Sequence, residues 1–336
     1  MVHEEEYSDG RRYVGEVKDG KWHGRGTLYF PDGRRIEAVW TDGIMNTQGI
    51  QYLADGTRYE GEFKDGVWSG KGALFEVDGR CFKGEFEDGK LNGHTTLYHA
   101  DGGRIEAVWT DGNLNGQGTQ YSADGGRYEG EFKDGWWNGR GTRYLADGTR
   151  YEGEYKDGKE NGRGTLYAAD GGRYEGEFKD GFPEGFGTQY QVNGDYYEGE
   201  FNDGWWDGQG THYLPDDSRH EGEYKEGKRN GQGTHYLADG NRFEGEYKDG
   251  QLNGRGTHYL PDGDRYEGEF KDGMYHGDGI MFLASQDMEG VVTLYENDNL
   301  ILEKEITPKT RRELTMEIMK LQNDLEKLRE QLKDKF

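Results

Sequence analysis

Arg58-Tyr59-Glu60-Gly61-Glu62-Phe63-Lys64-Asp65-Gly66 is the stretch on which the reading of this chain turns. Tyr59, Gly61 and Phe63 alternate with Glu60 and Glu62, the period of two expected of a strand with one apolar and one solvated face. Asp65-Gly66 then supplies the positive φ angles of a tight turn, and a second glycine, Gly70, is read as part of the same turn signal. A GxGTxY block follows in each copy, as at Gly116, Gly118, Thr119 and Tyr121, and gives a second strand before an Ala-Asp-Gly or Pro-Asp-Gly turn returns the chain. One block therefore predicts one β-hairpin.

The block recurs every 23 residues, starting at Tyr13, Ile36, Tyr59, Phe82, Ile105, Tyr128, Tyr151, Tyr174, Tyr197, His220, Phe243 and Tyr266. Twelve copies without an insertion, and a frayed thirteenth near Met288, predict an all-β repeat fold: a continuous antiparallel meander of hairpins. Twenty-four strands at ~4.8 Å each would run roughly 115 Å before twist shortens them, an elongated ribbon with its rings stacked on one face. The expected organisation is a lead-in over 1–12, the repeat array over 13–290, a final strand and connection over 291–306, and an amphipathic helix over 307–336.

Composition bounds the function. The 336 residues carry a formal net charge of −25 and 59 glycines, with 31% hydrophobic residues. So little aliphatic surface would suggest disorder, but 14% aromatic residues at regular spacing can build a thin core. A carboxylate-rich surface repels phosphate, which makes nucleic acid and bare anionic membrane poor partners. With one cysteine, Cys81, no intramolecular disulfide forms. Cys81 stands where an Arg usually precedes the first aromatic, and is read as an exposed thiol without a role. No apolar stretch approaches the ~20 residues of a membrane helix, and no signal peptide is recognised, so a cytoplasmic protein is expected.

From Glu303 onward the composition shifts to Lys, Glu, Leu and Met. Thr310-Arg311-Arg312-Glu313 reads as a capping box behind Pro308. Leu314, Ile318, Leu321, Leu325, Leu328 and Leu332 then form a heptad seam. Such a helix serves either as a short coiled coil that makes a homodimer or as a cap over the last apolar face of the array; the sequence leaves both open.

Catalytic constellations are weighed and set aside. Glu60 with Glu62, or Glu129 with Glu131, resembles an acid–base pair, but identical pairs recur in nearly every repeat on a solvated face, whereas catalytic pairs need divergent environments. His212, His235 and His258 share one register position but lie ~9.5 Å apart in successive hairpins, too far to share an ion bound at ~2.1 Å; the column is read as surface. GxSxG, P-loop and HExxH patterns are absent. No catalytic residue, metal or cofactor is expected, and the chain is read as a non-enzyme.

The Tyr-Glu-Gly-Glu-Phe, Asp-Gly and Gly-x-Gly pattern resembles the MORN repeat over residues 13 to about 290. That resemblance implies an elongated, twisted single-layer sheet and a scaffold role near membranes, cilia, flagella or the cytoskeleton. Two copies depart from it: Ile36 to Trp40 and Ile105 to Trp109 read IEAVW, with alanine in place of the central glycine. The expected partners are proteins, offering a helical or extended peptide segment. Exposed aromatics make efficient contacts, so Trp136, Trp137, Trp205 and Trp206 are the first candidates. A groove of Tyr128, Phe132, Tyr144, Tyr151, Tyr155 and Tyr167 is the second. A phospholipid tether and a regulatory subunit of a separate enzyme are the alternatives.

Overall fold

A computed structural model describes residues 3–284, 289–296 and 298–306, together with Lys320 and Lys327, which are both helical. Each repeat is a hairpin, as the third one shows. Its strands β6 (Arg58–Lys64) and β7 (Val67–Phe75) are joined by Asp65 and Gly66 at φ 51° and 81°. Positive φ at both central residues is the two-residue turn whose twist matches that of the flanking strands. The Gly66 N–H donates to the Met45 carbonyl at 3.0 Å, which latches this turn to the hairpin before it. At the other end Asp55 accepts from the Thr57 N–H at 2.9 Å and closes the returning turn.

Gly70 is not part of the turn. β7 has already begun at Val67, and Gly70 sits inside it at φ +66°. Pairing runs Lys64 to Val67 and Phe63 to Trp68, then resumes at Gly61 opposite Gly72, so a bulge falls between Gly61 and Phe63. The second strand of each repeat is thus longer than the GxGTxY block alone implies.

The described strands divide between two compact units. The first, Met1–Ala169 with Lys179–Gly181, holds β1 (His3–Glu6) to β15 (Lys159–Tyr167), and the second holds the remaining repeats to β27 (Asn299–Ile306). Within each, consecutive strands pair antiparallel and the sheet does not close. The lead-in contributes β1, which pairs with β2 (Arg12–Lys18). The frayed thirteenth repeat contributes β26 (Glu289–Glu296) and β27, paired with each other. The seam Leu314, Ile318, Leu321, Leu325, Leu328 and Leu332 lies outside the described residues.

One layer suffices because the rings bury each other. Tyr59 is fully buried: Trp68 stacks on it at 4.6 Å and 12°, while Phe63 and Phe86 meet it edge-on at 5.2 and 5.0 Å. A ring buried this completely is worth about 1.5–3 kcal/mol over an exposed one. The Tyr59 hydroxyl passes over two glycines and donates to the Glu62 carbonyl at 3.0 Å. A Cβ on Gly61 or on Gly72 would lie 2.4 Å from that hydroxyl oxygen. The same closure recurs at Tyr13, Tyr128, Tyr151, Tyr174, Tyr197 and Tyr266.

This explains the IEAVW copies. Ile36 and Ile105 carry no hydroxyl across the glycine pair, and Ala38 and Ala107 occupy the space the phenol takes elsewhere. Thr95 follows the same logic: it replaces a glycine beside the Phe82 strand, where no phenol hydroxyl exists.

Candidate functional site

The two tryptophan pairs divide. Trp137 and Trp206, second in their strands, turn inward and stack on Tyr128 at 4.5 Å and on Tyr197 at 4.3 Å. Each indole N–H donates to a glutamine of the preceding hairpin, Gln120 at 2.9 Å and Gln189 at 2.7 Å. Trp136 and Trp205, first in their strands, point outward with 62% and 61% of their surface exposed, each with its ring edge against the glycine of the next turn. One residue step in a strand reverses the face, so of the four only Trp136 and Trp205 are exposed to solvent.

The six aromatics proposed as one groove lie on two faces. Tyr128, Phe132, Tyr151 and Tyr155 are core, while Tyr144 and Tyr167 stand on the opposite face beneath guanidinium groups. There Arg127 lies 4.4 Å over Tyr144 and Arg150 lies 4.2 Å over Tyr167. Arg127 also reaches Glu129 at 3.1 Å and Arg150 reaches Glu152 at 3.0 Å. Arg and Tyr alternate from strand to strand along this lane, since Tyr121 faces Arg127, Arg127 faces Tyr144 and Tyr144 faces Arg150. The reading of isolated solvated carboxylates misses this lattice, although the constant Arg-aromatic-Glu order signals it.

The second glutamate of each block also has a fixed task. Glu62 folds over Gly70, where its carboxylate would meet a Cβ, and Glu131 does the same over Gly139 while accepting from the Arg140 N–H at 3.2 Å. These carboxylates cover the bulge glycines. In the first unit the face carrying them is concave, with a groove of about 990 Å³ floored by Gly118, Gly130, Gly141 and Gly153. Threonines 119 and 142 and glutamates 106, 129 and 152 also line it.

The histidine column is not surface. His212 contacts Asp195 at 3.0 Å and tilts on Trp206, the His235 Nδ1–H donates to the Arg219 carbonyl at 3.2 Å, and His258 stacks on Phe243 at 3.9 Å. A fourth histidine, His220, fills the core position that Tyr59 holds elsewhere and is fully buried. Neither of its ring nitrogens hydrogen-bonds to another described group. Burial pushes its pKa down to about 3, with Arg229 adding to the effect, and burial pushes His235 down to about 4. Both are therefore neutral at pH 7. Cys81 is half-buried and faces Phe75 and Tyr98 in the Arg lane, and burial pushes its thiol pKa up, so it is not an exposed thiol. Among the described residues no group of three or more His, Cys, Asp or Glu is placed to hold a metal ion, and no helix is long and apolar enough to cross a membrane.

The MORN repeat pattern is matched at residues 13–34, 59–74, 82–104, 106–127, 128–150, 151–173, 174–196, 197–219, 220–242, 243–265 and 266–288, well over half of the chain. The stretch between 34 and 59, which carries the first IEAVW block, is passed over. No curated protein sequence matches the chain. Among solved structures, the TCP domain of Drosophila melanogaster SAS-4 in complex with a proline rich motif of Ana2 aligns at 13% identity, over 53% of this chain and 90% of that one, with a TM-score of 0.32. The TCP10 domain of Danio rerio CPAP aligns at 14% identity over 66% and 94%, with a TM-score of 0.26. Virginiamycin B lyase from Staphylococcus aureus aligns at 12% identity over 92% and 84%, with a TM-score of 0.13. Likenesses this weak carry nothing to a site or a partner.

Proposed function

This chain belongs to the MORN-repeat family, and from that premise we propose that it is a non-catalytic scaffold that binds and spaces partner proteins in the cytoplasm, at a cytoskeletal, ciliary or membrane-associated structure. The observation that carries the reading is the exposure of large aromatics at one register position, Trp136 and Trp205, on a surface rich in paired charges. A solvent-facing indole on so polar a surface gains its burial from a partner. The carboxylates that would have to act as acid and base are engaged with arginines and with the bulge glycines.

Affinity capture with the full chain, followed by light scattering of the eluted complex, tests the proposal. The scaffold reading expects at least one protein retained in stoichiometric amount and lost with Trp136→Gln and Trp205→Gln together. Recovery of no protein, with flotation of the chain on phosphoinositide vesicles instead, overturns it in favour of a lipid tether.

A further inference from the structure

The repeats act as internal controls for one another, and in the second unit one of them departs on its surface. The position held by Lys71, Gln117 and Arg140, each opposite a glutamate of the next strand, carries Phe186, which faces Glu200 in the same way. Phe186 is 56% exposed. Four residues earlier Phe182, also 56% exposed, opens β17 (Phe182–Tyr190) at the position that carries Lys159, Lys228 and Gln251 in other repeats. Trp205 opens β19 (Trp205–Tyr213), the corresponding strand of the following repeat, immediately after Gly204, whose N–H donates to the Pro183 carbonyl at 2.9 Å. Phe182 and Trp205 thus open the two strands that flank β18 (Tyr196–Asn202), and Phe186 stands midway along β17. At the Phe186 position the repeats named above carry Lys, Gln or Arg, and at the strand-opening position other repeats carry Lys, Asn, Gln or an apolar residue such as Val67 or Trp136.

The charge around them is mostly acidic, with Lys225 and Lys228, on either side of the Gly227 turn that Trp205 lies against, as the basic exceptions. Glu177 and Glu200 cover the bulge glycines Gly185 and Gly208, Glu184 accepts from the Asp203 N–H, and Asp207 accepts from the Glu226 N–H. Asp203 is at the turn itself. We propose that Phe182, Phe186 and Trp205 form a docking site for an amphipathic segment of a partner protein that presents aliphatic side chains flanked by Lys and Arg. The rings supply the contact area typical of interface anchors, and the carboxylate rim selects a basic partner and speeds its approach. The same rim disfavours a second copy of this surface, whose like charges would be brought together. This site deepens the protein-binding reading and rests on it.

The test uses the full chain and two labelled helical peptides, one of Leu and Lys and one of Leu and Glu, with affinities from fluorescence anisotropy at low and high salt. The site predicts that the Leu/Lys peptide binds and the Leu/Glu peptide does not, and that salt weakens binding. Phe182→Gln, Phe186→Gln and Trp205→Gln, residue types that these positions or their equivalents tolerate, are expected to weaken it at least about tenfold when combined. Trp136→Gln, an exposed tryptophan without companion rings, is expected to leave it unchanged. Equal binding by the triple variant, or an equal loss with Trp136→Gln, overturns the site while leaving the scaffold reading to its own capture experiment. Self-association of the full chain that the triple variant abolishes makes a second copy the occupant and overturns the partner proposed.

Discussion

At the residue scale, a tyrosine hydroxyl that crosses a pair of glycines closes most of the repeats. The sequence shows the Tyr-x-Gly spacing but not its reason, because the second glycine belongs to the next strand and the acceptor is a backbone carbonyl. The reason makes Gly61→Ala and Gly72→Ala costly. Each should lower stability by about 1–3 kcal/mol, the usual range for overpacking, seen as a reduced urea midpoint. Ile105→Tyr should be destabilising by a similar amount beside Ala107, and Ala107→Gly should recover most of it; additive effects would show that the two positions are independent. His220 makes a second prediction. Its folded pKa, about 3, lies below the ordinary 6.5, so its contribution is complete above about pH 6.5 and is lost as pH falls toward 3. At pH 5 the loss is about 2 kcal/mol, and His220→Tyr should remove it, narrowing the difference between urea midpoints at pH 7 and pH 5. The reading of the histidine column as surface fails because each of these histidines stands directly opposite the first, buried residue of a block, His212 opposite Tyr197 and His258 opposite Tyr266, while the variety of residues at the position suggests a permissive site.

At the scale of the hairpin, the Asp-Gly turn is fully legible and the bulge is not. Asp65-Gly66 announces itself by composition, whereas Gly70 looks like more of the same loop until its φ of +66° and the carboxylate of Glu62 over it place it within a strand. Between the turn and the glycine pair the bulge sets three residues of the second strand, 69 to 71, against Glu62 alone. Neighbouring tryptophans such as Trp136 and Trp137 point to opposite sides by strand alternation alone, before the bulge is reached. Glu131→Ala removes the carboxylate that accepts from the Arg140 N–H, and should cost about 1 kcal/mol, the net worth of one such hydrogen bond. Chemical denaturation of that variant beside Glu129→Ala, whose exposed pair with Arg127 is worth at most about 1 kcal/mol, separates the two kinds of glutamate. The Arg and Tyr lane would have been legible in the sequence too, had the first residue of each block been counted with its glutamate and the tyrosine of the returning strand.

At the scale of the whole molecule, the core is a phenol array, and its ionisation sets an alkaline limit. Burial pushes Tyr59, Tyr224 and Tyr247 up to about 12, and raises Tyr128, Tyr151 and Tyr197 further. Their folded pKa values exceed the ordinary 10, so stability is complete below about pH 10 and is lost as pH rises toward 12. Tyrosinate absorbance and circular dichroism should change together in that interval; early titration without unfolding would mean that the rings are accessible. The repeat, the sheet and the aromatic face follow from period and composition, while the identity of a partner does not, because the surface that would meet it is defined by a few exceptions such as Phe186. Hydrogen–deuterium exchange on the full chain, alone and in complex with a captured partner protein, tests the scaffold claim most directly. Slower exchange confined to the strands and turns that carry Phe182, Phe186 and Trp205, or to those that carry Trp136, is the predicted result. Unchanged exchange throughout residues 3–284 while the complex stays intact would contradict it.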